Sequence, residues 1–92
     1  MSKKTFDSVW DALENTAGEA ANLRARADLM VALRELVGSK GWTQAEAARR
    51  CGVTQPRIND LLRGRISKFS LDALVNMAAA VGLRVALHVK AA

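Results

Sequence analysis

Gln55, Pro56, Arg57, Asn59, Asp60 and Arg63 fall within one short stretch, at spacings that bring side chains to the outer side of a helix. What most of them share is planar hydrogen-bonding chemistry. A guanidinium presents a fork that fits guanine O6 and N7, and a carboxamide pairs with adenine N6 and N7. Arg57 suits the first pairing, and Asn59 or Gln55 the second. Thr43, Gln44 and Thr54 stand where short helices begin, and hydroxyl, amide and backbone N–H groups there suit phosphate oxygens. Arg65 and Lys68 follow in a loop, where they would add cationic charge against the same phosphates. These residue types in this order imply a surface that holds and reads duplex DNA.

Catalysis has no comparable constellation. An enzyme needs an acid, a base, a nucleophile or a metal converging on a pocket, whereas this chain has one histidine, one cysteine and scattered carboxylates. No enzymatic activity, cofactor or metal site is therefore expected. Cys51, as the single cysteine, excludes an internal disulfide and a cysteine-based zinc site, and reads as a small buried thiol. His88 stands alone on the polar side of an alternating segment and reads as structural or solvated.

Charge supports the DNA reading because it is localised. The chain carries a net +5, and residues 40–68 alone hold seven basic residues against two acidic ones. The first 39 residues are close to neutral, as are the last 24. Clustered Lys and Arg release counterions from a phosphate backbone, so a polyanionic partner follows. Ninety-two residues support one hydrophobic core. The absence of an apolar run of about 18 or more residues, or of an N-terminal signal pattern, predicts no membrane span and a cytoplasmic location.

The elements that must position these residues can be read from capping and period. A short helix is expected over residues 8–15, with Val9, Trp10 and Leu13 on one face and Trp10 as a core anchor. A longer one follows over 19–37, where Leu23, Ala27, Met30, Leu33 and Val37 step by three and four and Gly38 is placed as the C-cap. Thr43 and Glu46 form a capping box for a third helix, and Gly52 supplies a tight turn after it. Thr54 caps a fourth that carries Pro56 in its first turn and ends at Gly64, with Val53 and Ile58 as a hydrophobic staple. Ser70 caps a fifth, whose apolar face is Leu71, Leu74, Met77, Ala78 and Val81.

Between Thr43 and Gly64 the pattern meets the mechanical needs of a helix-turn-helix. Ala48 is small where the second helix crosses the first, Gly52 turns the chain, and Val53, Ile58 and Leu61 anchor the second helix so that its other face is free for a groove. Beyond it, Leu83, Val85, Leu87 and Val89 alternate with Arg84, Ala86, His88 and Lys90, the period of a β-strand. A lone strand has no partner within an all-helical chain, so this one is expected to pair with a second copy and make a homodimer. The fold class expected is mainly α: five helices with a helix-turn-helix, plus a short C-terminal β-strand. Residues 1–18 form a partly helical N-terminal segment, and 19–92 a DNA-binding domain with a dimerisation strand at 83–90.

The stretch TQAEAARRCGVTQPRINDLLRGRISKFSLDALVNMAAAVGLRVAL resembles the Xre, or Cro and phage-repressor-like, helix-turn-helix family, and more narrowly its short HigA-type antitoxin-like branch. In that branch the helix-turn-helix runs on into a GR-x-S-x-FSLD-x-L segment, matched here by Gly64, Arg65, Ser67 and Phe69 to Leu74. The resemblance implies a lambda-repressor-like domain, a dimeric repressor on a palindromic operator, often its own promoter, and a RelE- or HigB-like toxin as a further partner. The competing reading is a protein-interaction module that neutralises a toxin or binds an acidic partner without sequence-specific DNA binding. Salt-sensitive duplex binding separates the two.

Overall fold

The computed structural model describes the backbone of residues 2–91 and the side chains of residues 16–91. Helix formers dominate the first forty residues, and the chain there is one uninterrupted helix, α1 (Ser2–Lys40). Its C-terminal half packs on the rest of the protein through Met30, Leu33 and Val37, while residues 16–24 are all exposed. Three shorter helices complete the fold: α2 (Gln44–Cys51), α3 (Gln55–Leu62) and α4 (Leu71–Ala80), with one 3-10 turn (Ile66–Lys68) before α4. Ala47, Ala48 and Cys51 of α2, Ile58 and Leu61 of α3, and Phe69, Leu74, Met77 and Ala78 close the core over α1.

Two features differ from the sequence-based expectation. Among the described residues there are four α-helices, not five, because the segments read as 8–15 and 19–37 are continuous through Gly18. Glycine in an exposed helix costs about 1 kcal/mol against alanine and does not by itself end the helix. Nothing lies within 4 Å of a Cβ built on either Gly18 or Gly38. Gly38 is accordingly not the cap; α1 ends one turn later at Gly41, with φ of 65°. There the Trp42 N–H donates to the Val37 carbonyl at 3.3 Å and the Gly41 N–H to Gly38 at 3.2 Å, the paired bonds of a Schellman motif. The expected face of Val9, Trp10 and Leu13 lies outside the residues whose side chains are described.

The second difference is the C-terminus, where residues 83–91 form no strand. A β-ladder is a property of two paired segments, and among the described residues no second extended segment offers the matching N–H and C=O groups. Leu83 still packs against the core and its N–H donates to Ala78 at 2.9 Å. Beyond it residues 84–87 border a groove with α1 and α4 while exposure rises: Leu87 is 84% exposed and Val89 92%. Alternation here marks an extended tail, not a strand with a buried face.

Candidate nucleic-acid interface

The turn between α2 and α3 is built as its residues require. Thr43 caps α2, its Oγ1 accepting from the Glu46 N–H at 3.1 Å. The reciprocal half of the expected capping box is absent, because the Glu46 carboxylate turns to Arg49 at 2.7 and 3.1 Å and to Arg50 at 2.7 Å. Gly52 then takes φ of 72°, and the Val53 N–H donates back to Ala48 at 3.0 Å. A Cβ at Gly52 would meet nothing within 4 Å, so its cost is backbone strain alone. Gly52→Ala is therefore expected to lose about 1–2 kcal/mol in a urea titration while leaving the folded structure unchanged. A loss below about 0.3 kcal/mol would show that the turn does not depend on the left-handed conformation.

Ala47 and Ala48 are buried under α3, and Ile58 and Leu61 seal α3 from within. The opposite face of α3 is left open. Gln55 and Pro56 are exposed, Asn59 and Asp60 half-buried, and Arg63 exposed. Together with Gln44 and Arg65 these five line a shallow groove of about 460 Å³. Five of the six residues expected to read bases from α3 thus border one groove, and the sixth, Arg57, does not. The Thr54 hydroxyl makes no capping bond to α3 and is exposed, as are Thr43 and Lys68.

Arg57 is turned inward. Its guanidinium lies 4.5 Å from the centroid of the Phe69 ring and its Nη1 donates to the Lys68 carbonyl at 2.8 Å. Arg26 of α1 approaches the same loop, its Nη1 donating to Ile66 at 3.1 Å and Phe69 at 3.3 Å, with Nε bonded to Asn22 at 2.6 Å. Two arginines from two helices therefore hold residues 66–69 through their carbonyls. Neither role was read from local pattern, since the partners of Arg26 lie about forty positions away. A signal did exist: Arg26 sits between Leu23 and Met30, inside the apolar stripe of α1, where a solvated arginine has no place.

Charge on the surface is divided in two. Arg49 and Arg50 are spent on Glu46, and Arg50 also covers Trp42 at 5.3 Å from its ring centroid. Hydrogen bonds from Arg49 and then Arg50 hold the Glu46 carboxyl below its ordinary value. What this cluster contributes to stability is complete above the ordinary carboxylate range and is lost as pH falls through the lowered folded value. Arg65 pairs with Asp60 at 3.1 Å, whereas Arg63 and Lys68 form no ion pair among the described residues. Cys51 is buried, and burial raises its thiol pKa, which keeps it protonated and unreactive.

A family profile described as a helix-turn-helix domain matches residues 12–90. A solved structure described as an XRE-family transcriptional regulator shares the fold, with a TM-score of 0.73 and 24% identity over 80% of this chain and 83% of that one. No curated protein matches. No helix among the described residues is long and apolar enough to cross a membrane.

Proposed function

Because the chain belongs to the helix-turn-helix domain family, we propose that it is a sequence-specific duplex DNA-binding transcriptional regulator that acts as a repressor from the cytoplasm. The observation that carries this reading is the open face of α3, where Gln55, Pro56, Asn59, Asp60 and Arg63 border one groove with Gln44 and Arg65. A helix seated in the major groove presents this kind of face to base edges, and the N-terminus of the preceding helix meets the backbone. Gln55, Pro56, Asn59, Asp60 and Arg63 read bases. Thr43, Gln44, Thr54, Arg65 and Lys68 hold phosphates.

Arg57 has a different part. Its pairing with Phe69 and the Lys68 carbonyl favours a strut that fixes the phosphate-binding loop over direct reading of guanine. Arg57→Ala is expected to weaken every duplex alike, by about 1–2 kcal/mol, the scale of one charged hydrogen bond and one cation–π contact. Loss confined to sites with guanine at one position, seen in parallel titrations of single-base variants, would return Arg57 to base reading.

The active species is a homodimer on an inverted repeat, associated through the apolar tail residues Leu83, Val85, Leu87 and Val89. Support comes from the exposure of Val85, Leu87 and Val89 and from a mainly apolar groove of about 860 Å³ that residues 83–87 line together with Leu29 of α1 and Val75 of α4. An antitoxin role with a RelE- or HigB-like toxin partner rests on the GR-x-S-x-FSLD-x-L resemblance. Co-expression with such a toxin tests it by rescue of growth.

Selection of random duplexes on the purified protein, followed by titration of the winner across a salt series, tests the main reading. An enriched inverted repeat with half-sites about one helical turn apart is expected. No enriched sequence, with weak binding even at low salt, would replace it with a protein-interaction module.

A further inference from the structure

Asp60 is out of place on a surface built for DNA. A carboxylate beside a phosphate backbone weakens binding to every sequence, and a net charge of +5 shows that the chain otherwise favours polyanions. The other acidic residue of the central basic stretch, Glu46, is neutralised by Arg49 and Arg50 on α2. Asp60 is instead half-buried and lines the groove together with Gln44, Gln55, Pro56, Asn59, Arg63 and Arg65. Its Oδ1 accepts from Arg65 Nη1 at 3.1 Å, and the Arg65 N–H donates to the Asp60 carbonyl at 3.0 Å. Oδ2 accepts no hydrogen bond among the described residues.

A carboxylate is an acceptor only. In the major groove guanine offers N7 and O6 and thymine offers O4, all acceptors, whereas cytosine offers the N4 amino group as a donor. An acceptor fixed in the groove therefore accepts from cytosine and repels guanine and thymine. Adenine also offers an amino group, but its neighbouring N7 is an acceptor that a carboxylate meets unfavourably and a carboxamide meets well. The ion pair with Arg65 fixes the carboxylate in place by one oxygen and leaves the second to accept a hydrogen bond from the base.

Resting on the DNA-reading function proposed above, we propose that Asp60 is a specificity-determining residue that selects cytosine, through its N4 amino group, at one position of each half-site. Its cost in general affinity is then the means of rejecting the far more numerous sites that present only acceptors there.

The test repeats the duplex selection on three intact proteins: wild type, Asp60→Asn and Arg65→Gln. Wild type is expected to enrich cytosine at one position per half-site, and replacing that C·G pair by T·A should cost it roughly tenfold or more in affinity. Asp60→Asn, which keeps the side-chain shape, should lose the cytosine preference or exchange it for adenine, and should bind the C·G and T·A duplexes within about threefold of each other. Arg65→Gln, which removes the charge but keeps an amide donor for Asp60 Oδ1, should bind all duplexes more weakly and keep cytosine. Wild-type enrichment of a motif that Asp60→Asn leaves unchanged would overturn the assignment and make Asp60 only a tether for Arg65. If wild type enriches no motif, the DNA-reading function itself fails, an outcome distinct from the previous one.

Discussion

Replacing Phe69 by alanine will remove about 3–5 kcal/mol of folding stability, the usual cost of deleting a fully buried aromatic side chain. The ring is 2% exposed and lies where α1, α3 and α4 meet. Domains of this size are stable by only about 5–15 kcal/mol, so the variant will be close to its unfolding limit at ambient temperature. A melting point lower by roughly 15–30 °C is the expected readout. The ring is also the seat of the Arg57 guanidinium, and Arg57 and Arg26 both bond carbonyls of residues 66–69. Phe69→Leu separates the two effects. It retains much of the apolar volume while removing the π-face, so it should lose less stability than the alanine variant and still weaken DNA binding. A loss under about 1.5 kcal/mol in Phe69→Ala would mean that the core refills the cavity, and the loop would then have to be held by other means.

Arg65→Ala combined with Lys68→Ala will lower duplex affinity by about 60-fold near 0.1 M monovalent salt. Each phosphate contact contributes about 0.9 to the slope of log affinity against log salt, so losing two reduces the slope by about 1.8. Both residues belong to the exposed segment that follows α3, and Lys68 closes the 3-10 turn whose carbonyls are fixed from below. Isothermal or fluorescence titrations at four salt concentrations would read the slope directly. An unchanged slope would remove both side chains from the phosphate surface. The Asp60 partnership makes Arg65 the more informative half, because freeing Asp60 leaves a bare carboxylate beside the backbone and adds to the loss.

The helix-turn-helix was legible because its determinants are local. Caps at Thr43 and Ser70, a left-handed glycine at position 52, and a small residue at 48 act within a few positions of themselves, and each is where its residue type predicted. Thr54 is an N-cap by backbone conformation without the side-chain bond, which shows that position is read more securely than hydrogen bonding. The boundaries of α1 were not legible. Gly18 and Gly38 are the kind of residue that ends helices, but ending also needs a favourable continuation, and that occurs only at Gly41. The tail misled for a related reason. Alternation of apolar and polar residues records which faces a segment could offer, and a strand exists only when a neighbour accepts the offer.

Within the candidate site the division is similar. The open face of α3 follows from the 3.6-residue period once Ile58 and Leu61 are known to point inward, so its exposed members could be named in advance. Arg57 sits on the same short helix, but its direction is decided by an aromatic ring twelve positions later, which no local period can supply. The Asp60–Arg65 pair is intermediate, five positions apart across the end of a helix, and needs the turn at Gly64 before it can form.

The length of α1 has a hydrodynamic consequence. The radius of gyration is 16.7 Å and the greatest dimension 56 Å, whereas a compact chain of this length would have a radius near 12 Å. A single copy therefore has the size of a compact protein of roughly 200 residues. On a gel-filtration column calibrated with globular standards, the monomer will elute where a dimer would be looked for. Its frictional coefficient will be raised to match, so light scattering or equilibrium sedimentation, which weigh particles without reference to shape, will distinguish this elongated monomer from the proposed homodimer where elution does not.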